Sequence, residues 1–174
     1  MCRPYPNALT LSRKALRALI VLAPIAGILI LALFVASLVA EGLVMGALGV
    51  RAGPERAALI LGMRVIMVVG ICSAALARIA LTRLLATVET VSVGDPFVSQ
   101  NAERLQTIAW VVLGLELLHF LVGQVAARVS SQAQPLDIHW SFSVTRWLAV
   151  LLLFVLARVF DQGARMREDL QGTI

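Results

Sequence analysis

From Ala18 to Ala40 no charged side chain interrupts the chain. At the ~1.5 Å rise of an α-helix this run reaches about 34 Å, enough for the ~30 Å hydrocarbon core of a bilayer. A cleaved signal peptide also begins with basic residues such as Arg13, Lys14 and Arg17. The run is longer than the ~7–15 apolar residues of such a peptide, however, and Glu41 follows where small residues would mark cleavage, so residues 18–40 read as a retained first span. Pro24 removes one backbone donor within it. The second apolar stretch covers about residues 57–77 and contains Arg64, a charge that must either reach outward along its aliphatic stem or pair inside the protein. Beyond Ala77 the helix is predicted to continue, because Leu81, Leu84, Leu85 and Val88 recur at helical spacing among Arg78, Arg83 and Glu89. Gly94 punctuates it, and Asp95-Pro96 has the form of an N-cap followed by proline at the first helical position.

The third span, about residues 106–127, follows the polar opening Ser99 to Arg104 and is interrupted by Glu116 and His119. A polar connection containing Arg128, Ser130, Ser131, Gln132, Gln134, Pro135 and Asp137 leads to a short fourth span over residues 144–160, with Arg146 and Arg158 near its ends. In the tail, Asp161 with Arg165 and Arg165 with Asp169 are spaced i,i+4, which predicts a helix continuing into water. The expected architecture is all-α: a single four-transmembrane-helix bundle whose helices 2, 3 and 4 extend into the cytoplasm. With both termini inside, Arg3, Arg13, Lys14, Arg17, Arg78, Arg83, Arg104, Arg158, Arg165 and Arg167 fall on the cytoplasmic side, against Arg51, Arg56, Arg128 and Arg146 outside. That excess favours N-in, C-in. It would put Trp140 and Trp147 at the outer interface and Trp110 at the inner one.

Composition agrees with the pattern. Of the 174 residues 60% are hydrophobic and only 14% charged, and once four spans are counted too few remain for a second soluble domain. The net charge of +5 does not read as a nucleic-acid surface, because the basic residues are scattered around apolar runs. Cys2 and Cys72 have neither the spacing of a metal finger nor that of a disulfide framework.

Candidate chemistry is sparse. Glu116 and His119 form E-x-x-H, the spacing used by di-iron bundles, but such sites need a second E-x-x-H and two further glutamates. Here Glu116 is the one acid within a span, so no metal is expected. A Glu116 pair with Arg64, touching His119, is the expected intramembrane polar cluster. Haem ligation by His119 and His139 is not expected, since His139 falls in the outer loop. Hydrolase and nucleotide-binding motifs are lacking, so neither an enzyme nor a cofactor is predicted. Small residues four apart, Ala23 with Gly27, Ala32 with Ala36 and Gly70 with Ala74, read as helix packing positions.

Two segments flanking the last two spans carry more information. Gly94-x-Pro96-Phe97-x-x-x-Asn101-x-x-Arg104-Leu105 and Phe160-x-x-Gly163-Ala164-x-Met166-x-x-Asp169 resemble the bacterial membrane family called domain of unknown function 2975. The resemblance implies a small integral membrane protein of the inner membrane with no assigned activity, often encoded beside a small helix-turn-helix regulator. By their residues the two segments read either as helix capping with a solvated face or as a docking surface. Asp95, Phe97, Asn101 and Arg104 with Arg165, Arg167 and Asp169 are the expected contact or cytoplasmic-bundle residues, and the resemblance supplies a cytosolic helix-turn-helix regulator as the partner. The competing expectations are a small transporter using Arg64, Glu116 and His119, with a homo-oligomer as one form, and a structural membrane subunit.

Overall fold

The computed structural model describes residues 6–49, 56–92, 98–129 and 143–171. These form four long α-helices and one short one: α1 (Pro6–Val39), α2 (Glu41–Ala47), α3 (Arg56–Ser92), α4 (Ser99–Val129) and α5 (Val144–Gln171). α1 runs through Pro24 and stops at Ala40, whose backbone leaves the helical region (φ −125°, ψ 52°) and starts α2. α2 ends where Gly49 adopts φ +80°, a left-handed conformation that favours glycine. α3 continues past Ala77 to Ser92 as its apolar periodicity predicts. α4 begins at Ser99, its first turn closed by the Asn101 amide donating to the Val98 carbonyl (2.9 Å). The predicted start at Asp95-Pro96 therefore lies upstream of the helix, outside the described residues.

Each long helix packs mainly against its neighbour in sequence: α1 on α3, α3 on α4 and α4 on α5. No comparable packing joins α1 to α4 or α5, or α3 to α5, among the described residues. Among the described residues the helices thus pack as an open row, each against its neighbour in sequence. α1 shows why. Its less exposed positions, including Leu16, Ile20, Ala23, Gly27, Ile30, Phe34 and Ser37, recur at intervals of three and four and make a single seam. Around the rest of α1, Val21, Leu22, Ile25, Ile28 and Leu29 are exposed, a surface that suits hydrocarbon. At the seam a Cβ on Gly27 would lie 3.2 Å from that of Ala74, and one on Gly70 would lie 3.3 Å from Ile30 Cδ1. Glycine here permits close approach of the helices.

α1, α3 and α4 are long and apolar enough to cross a membrane, as in a multi-pass membrane protein. α5 is not among the candidate spans. Only residues 147–157 separate Arg146 from Arg158, a charge-free length of roughly 17 Å.

The contacts also show that α5 is staggered. Glu116 of α4 faces Arg146, Trp110 meets Phe154, and Glu103 and Asp161 line one groove. This antiparallel register puts Val144, where α5 begins, at the level of His119. α4 continues for ten more residues, or about 15 Å. Opposite His119 across α3 lies the Gly27–Ala74 and Ile30–Gly70 region, midway along the charge-free run of α1. Trp147 accordingly sits level with Glu116, well short of the end of α4 where an outer interface is expected.

Candidate functional site

Arg64 does not join Glu116. Its Nη2 donates to the Ser37 carbonyl and to Glu41 Oε2, both at 2.8 Å. α1 ends at this level, leaving carbonyls without helical partners, and a cation placed there both caps them and opposes the helix dipole. The expected Arg64–Glu116 pair is corrected on this point: the nearer acid, Glu41, begins α2 beside the end of α1.

Glu116 instead faces Arg146 of α5, with Nε 3.9 Å from Oε2. That distance is ionic attraction without a direct hydrogen bond. The pair belongs to a cleft of about 370 Å³ between α3, α4 and α5, lined by Ser73, Glu116, His119 and Arg146 against walls that include Val69 and Val122. The Ser73 hydroxyl donates to the Val69 carbonyl (2.8 Å). E-x-x-H spacing places Glu116 and His119 on one helical face, as the sequence indicates, while the contribution of Arg146 depends on the stagger of α5. A carboxylate, an imidazole and a guanidinium at one level can bind a polar solute. Among the described residues no cluster of three or more His, Cys, Asp or Glu side chains is arranged to hold a metal.

The second polar feature lies at the end of the row where α4 begins, here the near end. Asn101 is fully buried. Arg104 Nη1 donates to the Asn101 side-chain oxygen (3.0 Å), the Thr90 hydroxyl (2.7 Å) and the Ala86 carbonyl (3.1 Å). These contacts tie the last turns of α3 to the first turns of α4. Of the two roles expected for Asn101 and Arg104, contact with a partner or packing within the helix bundle, these contacts fit the second, because a fully buried amide and a triply engaged guanidinium present little to a partner. Asp95 and Phe97 lie outside the described residues.

Arg165 remains on the surface, 72% exposed, and pairs with Asp161 (3.1 Å) as their spacing predicts. Next to it Met166 is 62% exposed, and Asp169 is exposed. Arg167 is half-buried. A groove of about 410 Å³ between α4 and α5, lined by Glu103, Gln106, Arg158, Asp161 and Arg165, opens beside them. Opposite this surface, Val150, Ala157 and Ala164 are buried at seven-residue intervals and seat α5 on α4.

A row of apolar helices with these internal polar contacts defines an all-α membrane protein. The chain belongs to the family described as "Protein of unknown function (DUF2975)", which matches residues 51–174. The matched region holds α3, α4 and α5, and with them the cleft and the Arg104 fastening. Neither a curated protein nor a solved structure matches the chain.

Proposed function

We propose that this is a non-catalytic regulator of the bacterial inner membrane, N-in and C-in, which binds a cytosolic helix-turn-helix regulator at its near end. The observation that carries this reading is the path of α5. By the register with α4, its last turns project past Ser99, and there Arg165, Met166 and Asp169 are exposed together. An apolar side chain among opposite charges suits a protein partner better than bulk water. The excess of basic residues at this end supports a cytoplasmic placement, and the family resemblance supplies the class of partner. Exposed Leu148, Leu151, Leu152 and Val155 support insertion of α5 as a fourth membrane element, with Arg158 reaching toward the near surface.

α5 also carries Arg146 in its first turn. A change at Glu116 that favours a different seat for α5 would alter the surface offered by its tail, and regulation requires only such a difference between two states. The test is to purify the tagged protein from its native membrane with and without Met166→Asp. A small DNA-binding protein held by the wild type and lost with Met166→Asp supports the proposal; its retention by both refutes this surface.

The cleft favours a second reading, a small transporter that uses Glu116 and His119. Flux in proteoliposomes that disappears with Glu116→Gln would support it. Arg64, committed to Glu41 and to the end of α1, has no part in that path.

A further inference from the structure

We infer that the groove between α4 and α5 at the near end holds the headgroup of a zwitterionic phospholipid with a primary ammonium, its phosphate on Arg158 and its ammonium on Glu103. The two walls are built alike. On α4, Glu103, Gln106 and Trp110 follow one another at intervals of three and four; on α5, Arg158, Asp161 and Arg165 do the same. Each set therefore lies on one helical face. All but Trp110 line the groove, whose volume of about 410 Å³ falls within the ~300–1,000 Å³ of small-ligand sites.

The charges of the groove balance, with Glu103 and Asp161 against Arg158 and Arg165. Arg165 is engaged by Asp161 at 3.1 Å. That leaves one carboxylate and one guanidinium on opposite walls, and among the described residues neither the Glu103 nor the Arg158 side chain has an ionic or hydrogen-bonding partner. A simple anion or cation would satisfy one of them and repel the other, whereas a zwitterion satisfies both. The planar fork of arginine matches phosphate oxygens. A carboxylate accepts hydrogen bonds from a primary ammonium, which has three to donate; a trimethylammonium has none.

Depth favours a lipid over a soluble solute. Arg158 ends the charge-free run 147–157 of α5, and on α4 no charge follows Arg104 until Glu116. The groove thus lies where the apolar lengths of both helices give out, the level of a headgroup. One turn deeper, exposed Trp110 meets Phe154 edge-on at 5.1 Å, at the depth an amphipathic ring favours. Deeper still, Leu117 and Leu121 continue the face of Trp110 at intervals of seven and four, and both are exposed, as is Leu151 one turn from Phe154. A phospholipid seated by its headgroup finds an apolar lane here for its chains.

The test is native mass spectrometry of the full chain, delipidated in mild detergent and titrated with phosphatidylethanolamine, phosphatidylcholine or phosphatidylglycerol of identical chains. The wild type is expected to retain phosphatidylethanolamine at least about tenfold better than the other two. Glu103→Gln should reduce its retention to that of phosphatidylcholine, and Arg158→Gln should weaken all three lipids. Lys14→Gln, at an exposed cation of α1, should change nothing. Equal retention of the three lipids by the wild type, a preference that survives Glu103→Gln, or an equal loss in Lys14→Gln would overturn the inference. Soluble phosphoethanolamine in large excess is expected to leave the lipid in place; displacement would assign the groove to a soluble zwitterion and overturn it too. The lipid comparison in the wild type needs no variant to fold. Met166 and Asp169 do not line this groove, so this inference and the regulator proposal succeed or fail separately.

Discussion

Arg104 of α4 donates to the Thr90 hydroxyl of α3 at 2.7 Å, and the same nitrogen reaches the Ala86 carbonyl and the fully buried Asn101. One side chain thereby bridges two helices. Arg104→Ala leaves buried acceptors without their donor and is expected to destabilise the protein by about 2 kcal/mol. Arg104→Lys retains the charge but not the planar fork and should recover part of the loss. Thermal unfolding in detergent checks both. Unchanged unfolding of Arg104→Ala would show that the contacts do not hold the α3–α4 turn.

Arg64 and Glu41 should be coupled, and Arg64 and Glu116 should not. A double-mutant cycle with Arg64→Ala and Glu41→Ala is expected to give a coupling of about 1 kcal/mol. The corresponding cycle with Glu116→Ala should give none, since Arg64 is engaged at the end of α1. Equal coupling in the two cycles would restore the pairing first expected from sequence.

Gly62 lies against Val129 in the last turn of α4. A Cβ there would come within 2.8 Å of Val129 Cγ2 and 2.9 Å of Cγ1. Valine is branched at Cβ and has little rotamer freedom within a helix, so Gly62→Ala should cost about 1–3 kcal/mol by overpacking. Gly42→Ala meets nothing within 4 Å and should be neutral in the same unfolding assay.

Trp110 of α4 and Phe154 of α5 meet edge-on at 5.1 Å. Replacing both with leucine removes an edge-to-face pair worth about 1 kcal/mol beyond its buried area. The expected result is a modest loss of stability in thermal unfolding in detergent. Unchanged unfolding would mean that the α4–α5 seam does not depend on this pair.

The long helices were legible because charge-free runs and three-to-four periodicity are local properties. α3 continues past Ala77 as Leu81, Leu84 and Leu85 predict, and Asp161 pairs with Arg165 as their spacing predicts. α2 was missed because Glu41–Ala47 is too short to show a period and contains two glycines. Without α2, the sequence pattern gives no sign that an acid turns toward Arg64 at the end of α1. Asn101 and Arg104 looked solvent-facing beside a turn, since nothing local reveals that α3 and α4 meet there. The stagger of α5 could not be read from sequence, because apolar runs fix which helices insert but not how far one slides along another. The Arg146–Glu116 contact follows from that slide.

The proposed partner, a soluble DNA-binding protein, is expected on the exposed tail of α5. The most direct measurement places a photo-crosslinking amino acid at Met166 or, as a control, at Leu151 on the exposed apolar face of the same helix, and irradiates living cells. A discrete adduct to one small DNA-binding protein from position 166, and none from position 151, is the predicted result. No such adduct from position 166, or the same adduct from both positions, would contradict it.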